Sequence, residues 1–252
     1  MEEIKDYYFS PIDGRTAKLI AYAASFGIDE WTYSKKETRF CTRKLKEFTA
    51  VSVREDSGVE LCKRHLNHTA EHVLDPTILL SPADYRKLIG EEGAEKYTNK
   101  ITAFILDRSE DKLAALEKVS KVLAMDYNFA ATETEDRLAP LEKRIAPSVA
   151  DWLKAMYYAD FIFTDSFHGC VFSILFNKPF VLYVNRNRGV ARFDSLLKLF
   201  KIENRTLSDS NELESCRIRQ SIDWKPINAK LEEMRSKSMR FLENALTAKD
   251  EQ

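Results

Sequence analysis

Seven short strand candidates, several of them nearly continuous apolar runs, alternate with segments of helical period and leave this chain few folds to choose from. The candidates are Lys18–Ser25, Thr49–Arg54, His72–Asp75, Ile101–Leu106, Lys121–Met125, Ala159–Thr164 and Pro179–Val184. Strands apolar on successive residues are covered on both faces, the habit of a parallel sheet packed between helices. Parallel neighbours also need crossovers of a dozen or more residues, and the intervening segments supply them. Trp152, Leu153, Met156 and Tyr157 share a helix face across residues 148–158, and Leu113, Leu116, Val119 and Leu123 share one across 111–123. Ile227, Leu231, Met234, Phe241, Leu242 and Ala245 form a stripe along a last helix over 226–248. The expected fold class is α/β with mainly parallel sheets.

A polar stretch, Glu91–Lys100, precedes a fresh strand and suggests a boundary. A first lobe over 1–96 would then hold only three strands, thin for a doubly wound sheet, so it reads as small or truncated. The second lobe would run over 97–225. With 39 Lys and Arg against 40 Asp and Glu, the net charge of −1 gives no reason to expect nucleic acid or an anionic membrane as partner. No apolar run reaches the length of a membrane span, and the acidic start Met1–Asp6 lacks the core of a signal peptide. Cys41, Cys62, Cys170 and Cys216 follow no framework spacing and read as reduced packing residues of a cytoplasmic protein.

Chemistry concentrates where strands end. After the run Ala159–Thr164, the polar turn Asp165-Ser166 gives way to Phe167-His168-Gly169 and an apolar helix. Ligands of open α/β sheets bind beyond the carboxyl ends of strands, so His168 stands where a proton-transfer group belongs. Asp165 and Ser166 are close enough in sequence to orient it. The same position also suits a capping or buried histidine. Arg54 ends another strand, beside Asp56 and Ser57 as helix caps, and suits bidentate binding of phosphate or carboxylate; a structural pair with Glu55 or Asp56 is the alternative. A third strand end carries Arg186, Arg188 and Arg192 with no acid among them, an anion trap or a solvated basic loop. Cys62, His65, His68 and His72 match no strong zinc spacing, and no metal is expected.

Taken in order, Ala21-Tyr-Ala-Ala-Ser-Phe-Gly27, Val53-Arg-Glu-Asp-Ser-Gly58, Leu74-Asp-Pro-Thr77, Ala159 through His168-Gly169, Lys178-Pro-Phe180 and Arg192-Phe193 resemble the polysaccharide pyruvyl transferase family. The resemblance implies two Rossmann-like lobes of glycosyltransferase-B type, with the active site between them and the helix over 226–252 packing back toward the first lobe. It implies transfer of a pyruvyl group from phosphoenolpyruvate to two hydroxyls of a sugar acceptor, with no cofactor, in cell-surface polysaccharide synthesis. His168 would be the proton donor, and Arg54 with Arg188, Arg186 or Arg192 would hold the donor's anionic groups. Two departures stand out. Many members carry an arginine close before the histidine, where this chain has Ser166-Phe167, and members usually begin with further strands. A nucleotide-sugar glycosyltransferase and an inactive homologue with an anion- or glycan-binding cleft are the competing readings.

Overall fold

The computed structural model describes residues 17–131, 138, 140–184, 189–214 and 217–248. In chain order its regular elements are β1 (Ile20–Ala24), α1 (Lys35–Leu45), β2 (Ala50–Val53), α2 (Asp56–Leu66), β3 (Glu71–His72), α3 (Pro82–Arg86), β4 (Lys100–Phe104), α4 (Glu110–Leu123) and β5 (Asp126–Phe129). They continue as α5 (Leu141–Arg144), α6 (Val149–Tyr158), β6 (Phe161–Thr164), α7 (Phe167–Leu175), β7 (Phe180–Tyr183), α8 (Ala191–Phe200), β8 (Thr206–Leu207) and α9 (Trp224–Thr247). Among the described residues no helix is long and apolar enough to cross a membrane.

Two compact units result. The first comprises Met1–Leu79, Gly189–Leu199 and Ala229–Gln252, and the second Leu80–Arg188 and Phe200–Asn228. The chain thus changes unit near Leu79, earlier than the polar stretch at Glu91–Lys100 suggests. The reason is Tyr85 on α3, a buried ring packed edge-on against Phe172 and Phe176 at centroid distances of 5.1 and 6.0 Å. That apolar contact fixes residues 80–99 to the second unit, whatever their surface polarity.

In the first unit the described strands form a parallel sheet in the order β1-β2-β3. Val51 and Val53 of β2 pack against Cys62 and Leu66 of α2, with Phe26 and Trp31 at the margin. Ala23 and Val73 belong to a second cluster with Phe241 of α9. Ser238 of α9 accepts a hydrogen bond of 2.9 Å from the Leu74 N–H, which ties the helix to the end of β3.

In the second unit the sheet is parallel throughout, in the order β5-β4-β6-β7-β8. Strands β6 and β7 are buried at every residue, as their unbroken apolar runs require. Helix α4 covers one face with Ala115, Leu116 and Val119 against Ile101, Ala103, Phe161 and Phe163. On α6, the Ala155 carbonyl accepts a 3.0 Å bond from Thr102 Oγ1 of β4. The expected strand Lys121–Met125 is instead the end of α4. Val119, Val122 and Leu123 prolong its apolar stripe, and Ala124 stops it in a left-handed conformation with φ of 53°. The strand that follows, Asp126–Phe129, has exposed ends; among the described residues it pairs only with β4, so its polar residues hid it from an apolar-run criterion.

Candidate functional site

The strand order of the second sheet creates a switch point. From β4 the chain moves outward to β5, and from β6 it moves the other way to β7 and β8. Ligand sites of open α/β sheets form at the carboxyl side of such a reversal. His168 lies there, in the first turn of α7 just after β6, and it is the one exposed residue between Phe161 and Phe176.

What holds that turn is a set of buried polar bonds. Thr164 Oγ1 donates to the Phe104 carbonyl at 2.7 Å and accepts from the Ser166 N–H at 3.0 Å. Ser166 occupies the cap position of α7, yet its side chain makes no capping bond; its carbonyl accepts from the Cys170 N–H at 3.1 Å. Gly169 lets the helix approach the strand, since a Cβ there would stand 2.1 Å from Thr164 Oγ1.

Asp165 is wholly buried and serves the sheet. It accepts from the backbone N–H groups of Leu106 at 2.7 Å and Asp107 at 3.2 Å, and from Lys112 Nζ at 2.7 Å. Lys112 also donates to the Asp107 carbonyl at 2.7 Å. The sequence reading missed this buried ion pair because Lys112 looks like one of many polar residues on α4; its position in the first turn, beside Ala115 and Leu116, was the available signal.

Arg54 and Arg192 belong to the first unit. Arg54, at the end of β2, pairs with Asp75 through Nη1 at 2.6 Å. The partner seen here, Asp75, is 21 residues away in sequence, beyond the local candidates Glu55 and Asp56. Parallel pairing of Val53 with His72 brings the ends of β2 and β3 side by side, and Asp75 Oδ1 is fixed by the Thr77 N–H at 3.0 Å and the Thr77 hydroxyl at 2.7 Å. The Arg54 carbonyl accepts from His72 Nε2 at 3.2 Å.

Glu55, the residue before α2, makes no side-chain cap. Its buried Oε1 accepts instead from the N–H groups of Phe26 at 2.5 Å and Gly27 at 3.1 Å. Gly27 has φ of 74°, and Gly189, with φ of 78°, approaches it so closely that a Cβ on Gly189 would meet the Gly27 oxygen at 2.4 Å. The Asp56 N–H donates to Ser195 Oγ at 3.0 Å, and Asp56 Oδ2 lies 3.4 Å from Lys198 Nζ. Burial works to raise the Asp56 carboxyl, but the Ser57 N–H, Lys198 and Ser195 together hold it below its usual range. These contacts tie the turn after Arg54 to α8, the helix carrying Arg192 in its first turn. Arg186 and Arg188 lie outside the described residues.

The soft-ligand residues of α2 are placed for packing. Cys62 faces the core, with burial raising its thiol to about 11. His65 stacks flat on Trp31 at 4.8 Å. Among the described residues, no group of three or more His, Cys, Asp or Glu is arranged to hold a metal ion.

Residues 4–187, well over half the chain, match the polysaccharide pyruvyl transferase family. No curated protein matches the chain in sequence. Among solved structures it is similar to the glycotransferase of kitacinnamycin, with a TM-score of 0.44 and 16% identity, over 84% of this chain and 62% of that one. It is similar as well to the wall teichoic acid polymerase TagF, with a TM-score of 0.42 and 11% identity, over 87% of this chain and 59% of that one. The chain thus spans about 60% of the length of the structures it resembles.

Proposed function

This chain belongs to the polysaccharide pyruvyl transferase family, and from that premise we propose that it moves a pyruvyl group from phosphoenolpyruvate onto two hydroxyls of one sugar, releasing phosphate. The observation that carries the reading is His168, an exposed imidazole fixed in the first turn of α7 at the switch point of a buried parallel sheet. A histidine held there, between a strand end and a helix, is suited to deliver a proton near neutral pH.

The chemistry needs one proton donor and fixed positive charge. The imidazolium of His168 gives its proton to the methylene carbon of phosphoenolpyruvate, and positive charge develops at the adjacent carbon. One sugar hydroxyl adds there and loses its proton. The carbon–oxygen bond to the phosphate then breaks and phosphate leaves. The second hydroxyl adds to the same carbon and closes the ketal, its proton passing to the departing phosphate, while the proton lost by the first hydroxyl restores the His168 imidazolium. Arg54, together with Arg188 or its alternates Arg186 and Arg192, neutralises the donor's carboxylate and phosphate. Cations held in place before the reaction are a strong electrostatic lever on a departing anion. Arg54 fits such a task because the Asp75 pair and the His72 bond to its carbonyl fix its position. Asp165, held by backbone N–H groups and Lys112, and Ser166 at the helix cap give His168 a rigid support.

Phosphate release from phosphoenolpyruvate, measured with galactose- and mannosamine-type acceptors, tests the reading. Wild type should release phosphate only with an acceptor, and His168→Ala should be slower by roughly 10²–10⁴, the usual contribution of a positioned acid. Absence of release with every acceptor, together with no calorimetric binding of phosphoenolpyruvate, would leave an inactive homologue as the better description.

A further inference from the structure

The near-zero net charge of the chain conceals a local imbalance. Helix α1 and the residue after it carry Lys35, Lys36, Arg39, Arg43, Lys44 and Lys46 against the single carboxylate of Glu37. That carboxylate is engaged at the helix start, where it accepts from the Ser34 N–H at 2.8 Å in a capping box. Lys44 pairs with Glu47 at 3.1 Å. Lys35, Lys36, Arg39 and Arg43 are exposed, and among the described residues none of the four stands in an ion pair.

The four charges share a face, for together with Phe40 they line one open groove of about 500 Å³. Lys35, Arg39 and Arg43 follow one another at i, i+4 and i+8, about 12 Å along the helix axis. The other side of α1 is committed to the core, where Leu45 is buried and Cys41 packs against the cluster around Val51 and Cys62. The basic face does not serve the fold. Like charges one turn apart repel, and Lys35 and Lys36 stand in the first turn, where the positive end of the helix dipole disfavours cations. A local rule broken without a structural gain points to a partner outside the molecule.

Three features select that partner. The charged side chains can only donate hydrogen bonds, which suits phosphate oxygens and leaves the hydroxyl protons of a neutral glycan without acceptors. The charges extend over about 12 Å, more than one phosphate or pyrophosphate covers, so several anions face the helix at once. The Phe40 ring, the kind of platform on which a base of single-stranded nucleic acid stacks, has the Arg43 guanidinium over it at 5.7 Å. A plane of anionic headgroups meets all three conditions, and helices bearing clusters of about four to eight Lys and Arg suit such a surface.

We propose that α1 docks this protein on an anionic bilayer, with Lys35, Lys36, Arg39 and Arg43 against the lipid phosphates. Strands β1 and β2 are parallel, so α1 starts at the carboxyl edge of the first sheet, the edge at which Arg54 stands. Docking therefore holds that edge beside the membrane surface. The docking is independent of the pyruvyl-transfer reading, and its test needs no turnover.

The full chain is sedimented with vesicles of phosphatidylcholine and phosphatidylglycerol in equal parts, and with vesicles of phosphatidylcholine alone. Only the mixed vesicles should carry the protein down, and less of it as salt rises from about 0.05 to 0.5 M. Each cation at such a surface contributes roughly fivefold to binding, so replacing Lys35, Lys36, Arg39 and Arg43 together by Gln should weaken it by roughly a hundredfold or more. Replacing Lys96, Lys121, Lys201 and Lys225 by Gln removes the same charge from exposed positions elsewhere and should leave binding within about twofold. The proposal is overturned if the mixed vesicles fail to bind, if phosphatidylcholine alone binds equally, or if both sets of substitutions weaken binding alike. It is also overturned if inorganic pyrophosphate or polyuridylic acid binds through the same four residues more tightly than the vesicles do.

Discussion

Of the described glycines of the second unit, Gly169 has the least room for a side chain. Its added Cβ would stand 2.1 Å from Thr164 Oγ1 and 2.7 Å from Thr164 Cβ. Thr164 cannot turn away without giving up its bonds to the Phe104 carbonyl and the Ser166 N–H. Overpacking of this kind costs about 1–3 kcal/mol before any lost hydrogen bond is added. Gly169→Ala should therefore lower unfolding stability in urea by roughly 3 kcal/mol. Gly90 supplies the control, because a Cβ there meets nothing within 4 Å, and Gly90→Ala should be neutral or slightly stabilising. Equal effects from the two substitutions would show that α7 yields to strain, contrary to the packing argument. The sequence marks His168-Gly169 as a pair worth attention; it does not say that the glycine serves Thr164. Glu55 is similar. Its sequence position suggests a partner for Arg54, whereas its carboxylate holds the turn at Phe26 and Gly27, a contact 28 residues away that no local pattern encodes.

At the scale of elements, the reading by apolar runs succeeds where a strand has neighbours on both sides and both faces covered. Strands β4, β6 and β7 meet that description, and their expected runs overlap the observed ones. It fails for β5, whose exposed ends break the apolar run, and for β8, two residues long. The helix α4 illustrates a stronger dependence on tertiary context. Its N-terminal turn is joined to the loop before α7 by Lys112 and Asp165, with side chains 9% and 0% exposed. Removing one partner of a buried pair leaves an uncompensated charge, at a cost of about 3–5 kcal/mol. Lys112→Met should thus destabilise the protein by about that amount in chemical denaturation. Asp165→Asn in the Lys112→Met background should recover part of the loss, since no charge is then stranded. A single substitution costing less than about 1 kcal/mol, the range of exposed pairs, would mean that the pair is hydrated in solution.

For the whole molecule, the ordered motifs locate most of the candidate site residues at strand ends, and the structure shows why that was legible. Each motif combines a buried strand with the polar residues that terminate it. The division into units was less legible, because a surface-polar segment such as 80–99 declares its allegiance only through Tyr85. The same unit-level view leads to an expected pH dependence. His72 and His68 both lie in the first unit, and both imidazoles are held below their usual value by burial. For His72 the Arg54 carbonyl and Asp56 pull the other way, and Lys237 adds to the lowering. A histidine with a depressed folded value stays neutral in the native protein while the unfolded chain takes up a proton, so stability is complete above about pH 6.5 and declines as pH falls below it. Carboxylates such as Asp56 and Asp111, whose values are lowered, keep their contribution above about pH 4 and lose it only below that. The two windows are separate. Melting temperature should therefore fall between pH 7.5 and 5.5, and His72→Phe, less stable at neutral pH for want of its bond to Arg54, should fall less steeply. A wild-type melting temperature that is flat or rising toward pH 5.5, or an unchanged slope in His72→Phe, would show that the buried imidazole is not what couples this protein to protons.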